Sequence, residues 1–170
     1  MRARPAFMLA LATPDDVGAL AALQRAVADD LTRWHGPGPW SSHGTERGVL
    51  HAMRTSQVLV ARERGRIVAT LRLQTKKPWA IDVSYFTRVA RPLYLLSMAV
   101  APARQRKGIG RQCLSEAARL ARVGEADAIR LDAFDGLAGA GPFYARCGYA
   151  ERGRATYRTV PLIYYEQLLP

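Results

Sequence analysis

Apolar residues recur at spacings of three and four through Val17, Leu20, Leu23, Val27 and Leu31, the pattern of a helix with one buried stripe. It predicts a helix that runs to Arg33. The start is marked by Thr13-Pro14-Asp15-Asp16, which supplies an N-cap, a proline at the first helical position and acids suited to the helix dipole. A short apolar segment, Phe7 to Leu11, precedes it. Trp34-His35-Gly36-Pro37-Gly38-Pro39-Trp40 then breaks regular structure with alternating glycines and prolines. A second short helix is predicted over Thr45 to Arg54, with Val49, Leu50 and Met53 inward.

The following residues favour strands. Gln57 to Glu63 and Arg66 to Gln74 are joined by Arg64-Gly65 and predict an antiparallel hairpin with strands Val58 to Ala61 and Ile67 to Leu73. Lys76 to Pro92 reads as irregular, and loops of that length are often functional. Leu93 to Val100 is an apolar strand stopped by Pro102. Gly110 to Val123 carries helical periodicity through Ile109, Cys113, Leu114, Ala117 and Leu120, and Ala128 to Phe134 is another strand. Strand, helix and strand with short connections predict a right-handed βαβ crossover and a parallel pair. A short helix, Gly139 to Cys147, ends at Gly148 as C-cap, and Thr159 to Tyr165 makes the last strand. With no repeat and no shift in composition, one domain over residues 1–170 is expected.

At 170 residues and 18.7 kDa, the chain can bury roughly 70% of its unfolded surface around one core. No run approaches the ~20 apolar residues of a membrane span, and Met1-Arg2-Ala3-Arg4-Pro5 lacks the apolar stretch of a secretory signal; a cytoplasmic protein is expected. Cys113 and Cys147 have no partners at zinc-ligand spacing, so they read as reduced packing residues, with no metal and no membrane contact. The net charge of +11 favours an anionic ligand, whether nucleic acid, acidic membrane or phosphorylated cofactor. Nucleic acid is disfavoured, because there is no helix-turn-helix, no aromatic-basic RNA motif and no basic run longer than Arg104 to Lys107.

The most informative segment is Val100-Ala101-Pro102-Ala103-Arg104-Gln105-Arg106-Lys107-Gly108-Ile109-Gly110, where a buried strand turns into a helix. Gly108 and Gly110 let a ligand approach the backbone, the first helical N–H groups lack internal partners, and the dipole adds positive charge. Arg104, Arg106, Lys107 and Arg111 add formal charge. A dinucleotide fingerprint would need glycine where Cys113 stands, and the Gly-Lys-Ser/Thr of a P-loop does not occur. Instead, Gln105-Arg106-Lys107-Gly108-Ile109-Gly110 resembles the acyl-CoA signature of the GNAT superfamily of N-acetyltransferases. Ser97-Met98-Ala99-Val100 before it and Phe143-Tyr144-Ala145-Arg146-Cys147-Gly148-Tyr149 after it resemble the family's flanking strand and its Phe-Tyr, three residues, Gly, aromatic ending.

The resemblance implies an α/β fold of α+β type: a single domain with a mixed, mostly antiparallel twisted sheet and helices on both faces. Its parallel βαβ pair would splay around the acyl-CoA site, and the cofactor-binding core would span about residues 93–149. Acetyl-CoA, as acyl donor, would lie between the Leu93 to Val100 and Ala128 to Phe134 strands. Backbone groups of Met98 and Val100 would pair with its pantetheine arm. N–H groups from Gln105 or Arg106 through Lys107, Gly108 and Ile109 to Gly110 and Arg111 would hold the pyrophosphate. An N–H near Met98 or Ala99 would polarise the carbonyl, and Tyr144 would be general acid for the thiolate. One departure stands out: many relatives have an asparagine on the cofactor arm where this chain has Leu137, so Asp135 or a glycine amide would take over that contact.

Loss of the amine's proton is assigned to Asp82, which is either a base or an acceptor contact, to Glu63, or to bulk water before binding. The acceptor would be a small-molecule or peptide amine. Trp34, Trp40, Trp79, Tyr85 and Phe86 are either a wall for that acceptor or anchors for loops, and His35, His43 and His51 read as surface or loop histidines. The apolar ending Val160 to Leu169 is a candidate edge for a homodimer. Two other classes compete: an acyl-CoA-binding module without turnover, and a basic nucleic-acid-binding domain.

Overall fold

The computed structural model describes residues 8–42 and 44–170; Phe7 and His43 lie outside the described residues. Strands β1 (Ala10–Leu11), β2 (Gln57–Glu63), β3 (Arg66–Gln74), β4 (Pro92–Val100), β5 (Ala128–Phe134), β6 (Ala150–Tyr157) and β7 (Val160–Leu168) form one sheet in the order β1-β2-β3-β4-β5-β7-β6. The helices are α1 (Val17–His35), α2 (Glu46–Thr55), α3 (Ile109–Val123) and α4 (Gly141–Arg146). β4 and β5 are parallel, as the β4-α3-β5 crossover predicts, and the registered pairs β1·β2, β2·β3, β5·β7 and β6·β7 are antiparallel. This is the mixed, mostly antiparallel sheet expected from the sequence.

The chain forms two compact units, one of residues up to Leu73 with Ser97–Ala117, the other of Gln74–Leu96 with Ala118–Pro170. In the first, Val17, Leu20 and Ala21 of α1 and Val49 and Ala52 of α2 pack with Val58 and Val60 of β2. Leu59 and Ala61, on the other face of β2, are buried as well. Leu50, expected inward, is 42% exposed: Val49 and Ala52, three apart, set the buried face, and Leu50 is rotated about 100° from Val49. The chain enters α1 through a 3-10 turn, Pro14–Asp16. The buried Asp16 carboxylate accepts the Thr13 N–H at 2.8 Å and Arg62 Nη2 at 2.7 Å, tying the helix start to β2. The β2–β3 turn has Arg64 and Gly65 at φ of 48° and 79°, the left-handed pair that matches strand twist in a two-residue hairpin.

The second unit contains a hairpin that the sequence pattern does not reveal. β6 is an edge strand of mostly exposed, polar residues, and its turn to β7 places Arg158 and Thr159 at φ of 45° and 72°. Neither glycine nor asparagine marks that turn, and the inward face of β6, half-buried Gly153, Ala155 and Tyr157, carries too few large apolar residues to give the alternation that sequence patterns detect. β7 also runs beyond the predicted Tyr165 to Leu168. Glu166 looks like a stop signal but is buried and paired with Arg130 of β5 at 3.0 Å. Because β7 is hydrogen-bonded to β5 on one side and β6 on the other, Val160 to Leu169 does not supply the free dimer edge expected of it; the strand at that end of the sheet is β6.

Asp16 yields a stability prediction. Burial raises its carboxyl pKa, but the bonds from Arg62 and Thr13 outweigh that and hold it below the ordinary value of 3.8. A depressed folded pKa stabilises the fold above the unfolded value and loses that contribution as pH falls through the folded one. Asp16→Asn is expected to cost about 1–2 kcal/mol at pH 7. In urea unfolding, the gap from wild type should close as pH drops below 3.8.

Candidate functional site

β4 reaches the site through an irregularity at Ser97, whose φ of 51° is left-handed although the residue is not glycine. Beyond it, Met98, Ala99 and Val100 are half-buried, and the Ala101 N–H donates to the Val68 carbonyl of β3 at 2.8 Å. The parallel ladder with β5 covers only Pro92, Leu93 and Tyr94. After Val100 a 3-10 turn, Pro102–Arg104, leads into an exposed loop in which Arg106 and Gly108 have φ of 59° and 80°. The first bond into α3 runs from the Gln112 N–H to the Gly108 carbonyl at 3.1 Å. The N–H groups of Gly108, Ile109 and Gly110 therefore precede the helical ladder, at the positive end of the dipole. A Cβ at Gly108 would meet no protein atom within 4 Å, so the glycine serves backbone conformation and leaves open space beside these donors.

Side chains pre-form this loop. Gln105 Nε2 donates to the Val100 carbonyl at 3.0 Å and Lys107 Nζ to the Ala103 carbonyl at 3.1 Å, which braces the turn from within. Arg104 forms an ion pair with Glu63 at the end of β2. Two expectations change. Arg104 is neutralised, while Arg106 and Lys107 are exposed cations beside the helix start. Glu63, a candidate base, is committed to Arg104. Ile109 buries its side chain and offers only its backbone.

Tyr144 sits on α4 in the second unit, positioned by glycines. A Cβ at Gly139 would lie 1.8 Å from the Phe134 carbonyl oxygen and one at Gly141 2.6 Å from Tyr165 Oη, so the short path from β5 into α4 depends on small residues. Tyr144 is buried among the rings of Phe143, Tyr149 and Tyr165, with centroids 5.3, 5.9 and 6.1 Å away. Burial, then the electrostatic influence of Asp132 and Cys147, pushes its phenol far above the ordinary value of 10. It therefore stays protonated, as a proton donor must. Cys113 is buried and its thiol pushed up to about 12 by that burial, fitting an inert packing role. No group of residues that could hold a metal occurs among the described residues.

Asp82 is exposed and caps the 3-10 turn Val83–Tyr85, its carboxylate accepting the Ser84 N–H at 3.0 Å and the Ser84 hydroxyl at 2.7 Å. Those bonds hold its carboxyl below the usual range and make it a poor base. Asp132, absent from the sequence-based candidates, has the opposite character. It is half-buried on β5, registered opposite Tyr164, and burial pushes its carboxyl above the ordinary value. Its charge acts on both Tyr144 and Tyr164. The available signal was the alternation Ile129-Arg130-Leu131-Asp132-Ala133, which puts Arg130 and Asp132 on one face of the strand.

The aromatic residues differ in their surroundings. Trp40 anchors its segment through an indole N–H bond to the Gly36 carbonyl at 3.1 Å, and Trp34 is 75% exposed. In the second unit Tyr85 and Phe86 pack on Tyr164, with centroids 5.2 and 5.3 Å away, while Trp79 is 84% exposed. Leu137, at the position of the family's asparagine, is 98% exposed. Asp135 binds Arg154 through both carboxylate oxygens at 3.0 Å. His35 and His51 are exposed.

The family described as an acetyltransferase (GNAT) domain matches residues 54–151. No curated protein matches the chain in sequence. Solved structures share its fold. The PaiA N-acetyltransferase from Thermoplasma acidophilum, in complex with coenzyme A, has a TM-score of 0.72 at 14% identity, covering 95% of this chain and 99% of its own. A GNAT-family acetyltransferase from Listeria monocytogenes has a TM-score of 0.74 at 17% identity, covering 96% and 95%. The yncA protein from Salmonella typhimurium, with its cofactor acetyl-CoA, has a TM-score of 0.67 at 18% identity, covering 96% and 94%.

Gly108 offers a direct test of the loop. Gly108→Ala is expected to cost about 1 kcal/mol in backbone strain and to place a methyl group beside the helix donors. Titration calorimetry with CoA should show affinity weakened by about tenfold or more, while the thermal midpoint falls by only about 2–4 °C.

Proposed function

The chain belongs to the GNAT acetyltransferase family, and from that premise we propose that it transfers the acetyl group of acetyl-CoA to a primary amine by direct attack in a ternary complex. The observation that carries this reading is the braced, cationic loop from Val100 to Arg111, with backbone donors at the start of α3 and open space over Gly108. The pyrophosphate of acetyl-CoA binds the N–H groups from Arg106 to Arg111, assisted by the charges of Arg106, Lys107 and Arg111. Its pantetheine arm runs along the backbone of Met98 to Val100.

Amide formation needs a neutral amine, a held oxyanion and a protonated leaving group. Asp132, rather than Asp82 or Glu63, takes the proton from the amine, directly or through one water, because burial makes its carboxylate more basic than an exposed one. The nitrogen lone pair attacks the thioester carbon, and an N–H at Met98 or Ala99 receives the oxyanion. As the intermediate collapses, the C–N bond remains, the C–S bond breaks, and the nitrogen, cationic since the attack, releases its second proton to solvent to give the neutral amide. The thiolate takes the Tyr144 phenolic proton. Desolvation holds that phenol protonated and also raises the basicity of a thiolate leaving beside it. Solvent then reprotonates Tyr144 and receives the proton held by Asp132. A CoA-binding module without turnover would not need Tyr144 in this role.

Three measurements test this reading. Saturating acetyl-CoA, at ~100 times its dissociation constant, should add ~2.7 kcal/mol and raise the thermal midpoint by several degrees, and no shift would remove the cofactor assignment. Tyr144→Phe should lower kcat by about 10²-fold or more in a thiol-release assay with an amine panel, while calorimetry finds acetyl-CoA affinity unchanged. For pH, kcat/KM should rise through an Asp132 pKa above 3.8, and Tyr144 should cause no alkaline fall near pH 10. Asp132→Asn should abolish that acid limb and leave only the dependence set by the amine's own pKa near ~10.4.

A further inference from the structure

The segment between β3 and β4 runs over residues 75–91 with one short turn, Val83–Tyr85. Left to itself, a loop of that length samples many backbone states. Here three side chains of β5 and β7 hold its peptide groups. Tyr164 Oη accepts the Asp82 N–H at 3.2 Å and donates to the Ala80 carbonyl at 2.5 Å. Glu166 Oε1 accepts the Thr87 N–H at 3.2 Å, and Arg130 Nη2 donates to the Thr87 carbonyl at 2.5 Å. Arg130 and Glu166 are joined at 3.0 Å and are 4% and 3% exposed. The Arg130 guanidinium lies 5.0 Å from the Phe86 ring centre and also reaches Tyr94 Oη at 3.4 Å. At Gly153 a Cβ would lie 2.3 Å from the Tyr85 ring, so the bare backbone of β6 seats that ring.

All four bonds to Ala80, Asp82 and Thr87 are made to main-chain atoms. These main-chain bonds add to the Asp82 cap on Ser84 and leave the exposed Trp79 and Val83 side chains pointing outward. A buried ion pair is a weak source of stability, because desolvation consumes much of its attraction; its best use is to fix one geometry. Asp132 is level with the Tyr164 grip, registered opposite Tyr164 and two residues along β5 from Arg130.

We propose that Tyr164, Arg130 and Glu166 are positioning residues, which clamp the backbone from Ala80 to Thr87 as a fixed wall beside Asp132 for the acceptor amine. The acceptor role rests on the transferase reading above; the clamp itself does not. Two variants test it. Tyr164→Phe removes one oxygen and keeps the ring packing, while Arg130→Met with Glu166→Leu replaces the ion pair by apolar groups of similar size and guards against a folding defect from an unpaired buried charge. Each is compared with wild type by amide hydrogen exchange over residues 80–88, by acetyl-CoA calorimetry, and by steady-state kinetics with butylamine, phenethylamine, spermidine and a lysine peptide.

The expected result is exchange at Asp82 and Thr87 faster by about tenfold or more, acceptor KM raised by about tenfold, and unchanged acetyl-CoA affinity. A merely stabilising role would lower the thermal midpoint without moving acceptor KM. Unchanged loop exchange in both variants overturns the clamp, and faster exchange with unmoved acceptor kinetics overturns its part in transfer. If wild type acetylates none of the amines, the transferase reading fails together with the acceptor role, and the exchange data still decide the clamp.

Discussion

Backbone N–H groups at the start of α3 cannot be satisfied inside the helix, and that constraint organises the chemistry of the chain. Water can meet such donors, but the surrounding residues favour an anion. Gln105 and Lys107 bond to carbonyls of their own turn, Arg106 and Gly108 adopt left-handed backbone, and Glu63 holds Arg104. The loop is ordered before a ligand arrives, so the entropy of arranging it is not charged to binding. The excess positive charge of the chain becomes specific here, because fixed dipoles and cations converge on one short segment.

A second contrast separates exposed from half-buried acids. Asp82 is solvated and bonded by Ser84, conditions that stabilise the anion and weaken it as a base. Asp132 has lost much of its hydration on β5, which strengthens it. Tyr144 lies further in the same direction, buried among aromatic rings and held as a neutral phenol by desolvation and by the Asp132 charge. Residue type does not separate the ionisation of these groups; burial and hydrogen bonding do.

Much of the fold was legible from local pattern. The α1 stripe, the β2–β3 hairpin, the β4-α3-β5 crossover and the glycine-bearing turn before α3 all announce themselves through periodicity, caps and turn residues. β6 did not, since an exposed polar strand entered through a turn without glycine offers neither signal. The end of β7 was obscured by Glu166, whose charge reads as solvent-facing until Arg130 is found beside it. Leu50 failed for a related reason: helical spacing allows several inward arcs, and only the neighbouring strand selects one.

The candidate site divides in the same way. The glycine-bearing turn into α3 and the Phe143-Tyr144 segment could be picked out from contiguous residues, because their spacing is fixed by the backbone. The Asp82 cap on Ser84 is local, whereas only the fold shows that Glu63 is committed to Arg104, that Asp132 is the carboxylate with raised basicity, and that Arg130, Glu166 and Tyr164 hold the loop before β4. Each of those assignments depends on desolvation or on a partner far away in the chain, such as Tyr164 with Asp82 or Glu166 with Thr87, and neither quantity is encoded in local spacing.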